Sequence, residues 1–536
     1  MSRQARNRFP FGHGGVIMTI TMITIMTMML TILFHSDSAQ AFTSLSLSSL
    51  SLSSRWIPTT QTPVLPLAAS CRPWQSLVSL PSRRSARFLE RSNDNNDNND
   101  NDNNDDDDKN NHQVSSTHTS TGTGTATIPQ EIFNLVKSIV GAGVLTLPAG
   151  IAAFGNAPSA VLPATLLIAL IGSLSAYGFC LIGRVCALTQ TTSYRDAWTR
   201  TVSASSSWIP AWSVTLKTIC ATLAYSMILA DTFTALAQSA GIMGATKSAT
   251  LVVITTTLLL PLCLMKNLSS LAPFSLLGSL GMIYTAVAMT IRYVTNAYVP
   301  GVGTLVTHLA PALRPRFGTL GAKAALSPSV TILLGMLSTA YMAHFNAPKF
   351  YTELKHNTVP RYATVVSASF GISILVFAVM ASMGFLTFGA ASAGLILNNY
   401  STHDVLMGWS RLAVAISIVF SYPLAFVGAR DGILDLLQVK DRSAKLLNSL
   451  TVALLSSLTV AALIVPDVSF VLALAGATLG NALIYIFPGI MWRGAVKRST
   501  TATASQKREV KLAMGSAVFG LVMGALGAVK AIQSVL

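Results

Sequence analysis

Charge is scarce in this chain. Only 10% of its 536 residues are Asp, Glu, Lys or Arg, against 51% hydrophobic, whereas about a quarter of a soluble domain is charged. A fold of this length cannot hide so much apolar surface from water, so a lipid bilayer is its second solvent. Five cysteines (Cys71, Cys180, Cys186, Cys220 and Cys263) show no metal-ligand or disulfide spacing. Four of them lie in or beside apolar runs, as small packing residues do. H-E-x-x-H, G-x-S-x-G, Gly-x-Gly-Asp and paired intramembrane aspartates are all missing. The chain therefore lacks the nucleophile, metal set or carboxylate pair that a membrane enzyme needs, and neither an enzyme nor a cofactor is expected. The apolar runs are long and do not alternate, which excludes a barrel of strands.

The first 128 residues differ from the rest. Arg3, Arg6 and Arg8 precede an apolar run from Val16 to Phe34, and Ala39-Gln40-Ala41 follows. Residues 1–41 thus resemble a cleavable signal peptide, with an uncleaved first helix as the alternative. Residues 42–92 begin with Phe42, are rich in Ser and Arg, and carry Glu90 as their only acid, which is transit-peptide composition. Together they resemble the bipartite leader of an alga with complex plastids, which would place the chain in a plastid envelope; a plain secretory leader would place it in another endomembrane or the plasma membrane. Residues 93–128 are dominated by Asn and Asp, then by Ser, Thr and Gly. Such a segment buries too little apolar area to offset chain entropy and is expected to be a disordered tether.

From residue 129 to 536 the pattern predicts an all-α polytopic membrane domain. Eleven apolar runs of spanning length are centred in 130–154, 160–187, 213–239, 248–265, 271–293, 328–348, 362–390, 405–428, 446–465, 468–491 and 511–534. The longest loop, 294–327, has room for short helical pieces. With residue 129 on side one, the side-one loops hold seventeen Lys and Arg, among them Arg184, Arg430 and Arg498, and the side-two loops five, among them Lys247 and Arg292. Missing one span would scramble that asymmetry, so it supports the count and puts side one toward the cytosol. The net charge of +16 is then mainly topology plus leader, and no nucleic-acid partner is expected.

Two spans carry chemistry. The first reads Asn134-Leu-Val-Lys137-Ser138-Ile-Val-Gly141-Ala142-Gly143-Val-Leu-Thr146-Leu-Pro148. Its glycines and proline weaken a helix in mid-membrane, where a break is tolerated only if the freed backbone lines a cavity. Freed N–H groups and a half-helix dipole suit a carboxylate; close helix packing by small residues is the other reading. In the sixth span, Tyr341-Met-Ala343-His344-Phe-Asn346-Ala-Pro348 sets polar groups and a proline in an apolar helix. Pro348 lacks an N–H and should free the His344 carbonyl, and freed carbonyls suit an ammonium group. Interruptions at corresponding places of two five-helix halves are the pattern of an inverted repeat with a midplane site.

Asn134 to Pro148 resembles the first-helix signature of the amino acid/auxin permease family. Tyr341 to Glu353 is similar to that family's sixth helix and following loop, and Ser421-Tyr422-Pro423 with Arg430 to its eighth. The resemblance covers about residues 128–535. It implies a leucine-transporter-like fold of five plus five inverted helices with helices one and six broken and an eleventh appended. It also implies an amino acid substrate coupled to a proton or sodium gradient. Ser138 borders the first break on the same signature. Gly141, Ala142 and Gly143 would then offer N–H groups to the substrate carboxylate. The backbone around Tyr341, Ala343, His344 and Asn346 would receive its amino group. Tyr225 in the third span would add a hydroxyl, or simply pack. Ser417 and Ser421, one turn apart on the eighth, would face the place where relatives of this fold hold sodium. Lys137 departs from the sodium-coupled members, which carry a neutral polar residue there, and matches several proton-coupled ones. It points to proton coupling or exchange, unless it snorkels to the interface.

Two alternatives stand beside this one: a receptor of this fold that binds an amino acid without moving it, and a multi-pass enzyme, whose motifs the chain lacks. Asp231 and Arg411, near the outer ends of spans three and eight, are placed to pair. Ala473, Gly476 and Gly480 on span ten suggest either closely packed helices or a roomy pocket. Asn399-Tyr400-Ser401 forms a glycosylation sequon in a side-two loop.

Overall fold

The computed structural model describes residues 124–533 apart from 243, 266–271, 440–442, 466 and 501. The leader and transit-like expectations and the tether as far as residue 123 lie outside the described residues; of the tether's last five residues, 124–128, Ala126 bridges to Leu354 and Ile128 already belongs to the first helix.

Fourteen helices carry the described architecture. The first span is α1 (Ile128–Ile139), a 3-10 turn (Ala142–Thr146) and α2 (Leu147–Ala152). Then come α3 (Val161–Thr189), the short amphipathic α4 (Tyr194–Thr201), α5 (Trp208–Ser239), α6 (Lys247–Leu264) and α7 (Ala272–Val294). The sixth span is α8 (Val330–Ala340) and α9 (Ala347–Glu353). It is followed by α10 (Val359–Phe388), α11 (Val405–Leu436), α12 (Ala444–Ile464), α13 (Val468–Arg498) and α14 (Ala504–Gln533). Among the described residues, eight helices are long and apolar enough to cross a membrane, and α1 with the Ala142–Ala152 piece, bent by 42°, makes a ninth. α7 and the interrupted α8–α9 pair take the fifth and sixth places of the eleven expected spans. The loop after α7 holds three 3-10 turns, Thr304–His308, Pro311–Leu313 and Ala322–Leu326.

Local chemistry sets the ends. Thr127 and Gln130 form a reciprocal capping box at α1. Side-chain oxygens of Ser193, Asp404 and Asp467 accept backbone N–H groups at the starts of α4, α11 and α13, satisfying donors that a helix start leaves free. On α3, Leu162, Leu166 and Leu170 stay exposed at four-residue spacing, a stripe turned to lipid, while Ala164, Ile168 and Ile171 are buried.

Packing joins α5 to α11 and α11 to α7, and α10 to both α1 and α3. α13 is the most enclosed span and lies against α8 and α14. The small residues expected to give either tight packing or space give tight packing here. A Cβ on Gly476 would overlap the Gly335 carbonyl, and one on Gly480 would press on Ser338. α13 also widens into π turns at Gly476–Gly480 and Ala482–Ile486.

The polar contacts between distant chain ends agree with eleven crossings. Arg184 pairs with Glu509, and the Arg498 guanidinium donates to the carbonyls of Arg200 and Val202, all on side one. Arg292 pairs with Asp404 and Lys247 with Asp231, all on side two. The expected Asp231–Arg411 pair does not form. Asp231 takes Lys247 at 2.8 Å and Asn398, whereas Arg411 is buried and donates to the carbonyls of Leu397, Tyr400 and Ser401. Arg411 thus satisfies the carbonyls of a turn that would otherwise face the protein interior unpaired.

Candidate functional site

Breaking a membrane helix exposes donors on one half and acceptors on the other, and the chain does this twice around one space. In the first span Val140 closes α1 with a bond to Val136, and the backbone then extends at Gly141. The following turn makes its first bond from Val144 N–H to the Gly141 carbonyl, at 3.3 Å. The N–H groups of Ala142 and Gly143 precede that bond. In the sixth span α8 stops at Ala340, and a 3-10 turn, His344–Asn346, leads into α9. Pro348 was expected to free the His344 carbonyl, but that carbonyl accepts from Ala347 N–H. The 3-10 turn has replaced the lost α-helical bond with a shorter one.

A cavity of about 90 Å³ lies between the two breaks. At about 30 Å³ of liquid volume per water, it has room for about three waters, the scale of a small solute. Ser138, Gly141, Ala142, Gly143, Thr339, Ala340 and Met342 border it from the broken spans. α5 presents one face, Lys217, Ala221, Tyr225 and Ile228 among it, and α13 closes it with Leu472 and Ala475. The donor end of the Ala142–Thr146 turn and the acceptor end of α8 therefore meet at one space, a pairing that suits a zwitterion.

Among the sequence candidates, Ser138, Gly141, Ala142, Gly143 and Tyr225 come together at this cavity. The side chains of Tyr341 and His344 turn away from it. Tyr341 donates to the Ile168 carbonyl and lies against Phe377, while His344 Nε2 sits 2.8 Å from the Ser175 carbonyl with its ring edge-on to Phe179. They brace the break against α3 and α10. Ala343 is buried and its carbonyl accepts from Asn346 N–H. Lys137 is half-buried one residue before Ser138. Ser417 packs against Gly278 of α7 so closely that a Cβ there would overlap its hydroxyl. Ser421 is half-buried on α11, next to Tyr422, whose hydroxyl lies 3.0 Å from that of Ser226.

Lys217 was missing from the sequence candidates. It stands in the tenth position of α5, and its ammonium lies 4.4 Å from the centre of the Phe345 ring. An ionisable residue inside a span is a functional signal by itself. Counting Lys and Arg only in loops passes over it.

Helical spans in two halves of five, each half opening on an interrupted helix beside one cavity, define a leucine-transporter-like membrane protein. A family model described as transmembrane amino acid transporter protein matches residues 124–533, and the chain belongs to that family. A Rattus norvegicus protein named "Putative sodium-coupled neutral amino acid transporter 11" is 24% identical over 67% of this chain and 75% of its own length. The "Amino acid transporter AVT6E" of Arabidopsis thaliana is 23% identical over 75% of this chain and 83% of its own. The inward-facing structure of Mhp1 superposes with a TM-score of 0.51, covering 77% of this chain and 90% of its own at 12% identity, a likeness of fold alone.

Proposed function

We propose that this protein carries amino acids across a membrane by alternating access, with the cavity between the two helix breaks as the substrate site. The observation that carries the reading is that Ala142 and Gly143, whose N–H groups precede the first bond of their turn, line the same cavity as Thr339 and Ala340 at the C-terminal end of α8. The carboxylate of a zwitterion would take the donors and its ammonium the acceptors. The names of the rat and Arabidopsis relatives, both amino acid transporters, support the substrate class.

The coupling ion we assign to this carrier is a proton, or a second substrate in exchange. Lys137 supports it by carrying an amine one residue before the cavity lining, where sodium-coupled members resembling this chain carry a neutral group. The rat relative's name says sodium-coupled, so the two assignments separate experimentally. Full-length protein in proteoliposomes should take up a labelled amino acid mixture under an imposed pH gradient without sodium, and Lys137→Ala should abolish the pH drive. Uptake that requires sodium would discard the coupling assignment and keep the carrier. No uptake of folded protein under either gradient would discard the carrier reading.

A further inference from the structure

The cavity contains one charge that a simple zwitterion leaves unanswered. Among the described residues bordering it, none is Asp or Glu, and Lys217 is the single ionisable group apart from the Cys220 thiol and the Tyr225 phenol. Its ammonium rests on the face of Phe345, a contact that stabilises a cation without neutralising it. Lys217 is half-buried, where a cation without an anion beside it is costly, and the cavity walls supply no counter-charge.

This cation stands on a different span from the donors of the first break, α5 rather than the turn after α1. The α5 residues on the cavity include Lys217, Ala221, Ala224, Tyr225 and Ile228, one helical face followed for three turns. Lys217 stands at one end of that face, about 12 Å along the axis from Tyr225 at 1.5 Å per residue. The cavity thus offers two kinds of anion-binding group, backbone N–H groups and an ammonium, and one cation-binding end, that of α8. An ordinary amino acid fills one of each. An amino acid with a second carboxylate fills all three.

We propose that Lys217 binds the side-chain carboxylate of the substrate, and that the substrates of this protein are acidic amino acids of aspartate and glutamate size. This rests on the carrier reading above and narrows it. A charge-assisted bond contributes about 1.5–3 kcal/mol, or roughly tenfold and more in affinity.

Competition in proteoliposomes holding the full chain tests it. Glutamate and aspartate should inhibit uptake of labelled mixed amino acids at concentrations at least about tenfold lower than glutamine and asparagine. In Lys217→Met that preference should collapse, and in Lys217→Arg it should survive in part. Glutamate should also raise the thermal midpoint of the purified wild-type protein more than glutamine does, a readout available even where a variant folds poorly. If glutamine inhibits as well as glutamate in the wild type, the inference is overturned while the carrier stands. If Lys217→Met weakens glutamate and glutamine equally, Lys217 reads the α-carboxylate and the inference is again overturned. If no amino acid is taken up or shifts the midpoint, the carrier reading itself fails, and this one with it.

Discussion

Arg292 grips the carboxylate of Asp404 through Nε and Nη2, at 2.9 and 2.6 Å, and joins the end of α7 to the start of α11. Asp404 is fully buried, and it also receives the Tyr298 hydroxyl at 2.9 Å and the Met407 N–H. One carboxylate therefore serves as ion-pair partner, helix cap and loop anchor. Removing a partner from a buried pair leaves an uncompensated charge and costs about 3 kcal/mol or more. Arg292→Ala should lower the thermal midpoint of the detergent-purified protein well below that of Lys349→Ala, whose pair with Glu353 is exposed. Equal midpoints would remove Asp404 from the stabilising set.

Tyr298 makes that anchor sensitive to alkali. Its phenol lies outside the spans, and burial, reinforced by the Asp404 carboxylate, holds its pKa well above the ordinary value of 10. A pKa raised on folding gives stability that is complete below the unfolded value. That stability is lost as pH climbs from there toward the folded one. The unfolding midpoint should therefore fall above about pH 10, and Tyr298→Phe should flatten part of the fall. A wild-type slope retained in full by the variant would contradict this.

The first break allows binding to be tested apart from folding. A Cβ at Gly141 meets nothing within 4 Å, and one at Gly143 meets only ordinary contacts with Ala340. Neither residue has a positive φ. Gly141→Ala and Gly143→Ala should leave the midpoint within roughly 0.5 kcal/mol of wild type, as changes away from packed sites do. Both should cut amino acid uptake steeply, because a methyl then stands beside the N–H groups assigned to the carboxylate. Undiminished uptake in both would move the carboxylate elsewhere.

Gly476→Ala should do the opposite. Its methyl would overlap the Gly335 carbonyl and the Thr339 hydroxyl, so α8 and α13 could not keep their separation. Overpacking of this kind costs about 1–3 kcal/mol or more. The expected result is a lowered midpoint and reduced yield, read by fluorescence-detected size exclusion, before any question of transport arises.

The sequon at Asn399 should stay unmodified in the folded protein. Asn399 is fully buried, donates to the Ala391 carbonyl and accepts from Ala393 N–H. Glycosidase treatment of protein from a secretory host should leave its mobility unchanged, and Asn399→Ala should lower the midpoint by breaking both bonds.

These residues also show what a sequence can disclose. The two helix breaks were legible because Gly141, Gly143 and Pro148 act through backbone geometry, which is local. The count of spans was legible because hydropathy and loop charge both report the solvent. What His344 and Tyr341 do with their side chains depends on which neighbour they meet, and α3 and α10 supplied it. The Asp231–Arg411 pairing failed because Lys247 and the carbonyls around Tyr400 were nearer partners, and the chain order does not show that proximity. Asn399 reads as a modification site only while its three-residue motif is viewed alone. The π turns of α13 left no trace in composition.

The strap before α1 closes a loop of a different kind. Ala126 N–H donates to the Glu353 carbonyl at 3.0 Å, and Lys355 N–H to the Ala126 carbonyl at 2.8 Å. α1 begins two residues later and α9 ends at Glu353. The side-one pieces of the two interrupted helices are thus fastened end to end by backbone alone, independent of side-chain identity. Two levers that could have swung separately share one degree of freedom while those bonds last. Amide exchange at Ala126 and Lys355 then becomes a clock for their release.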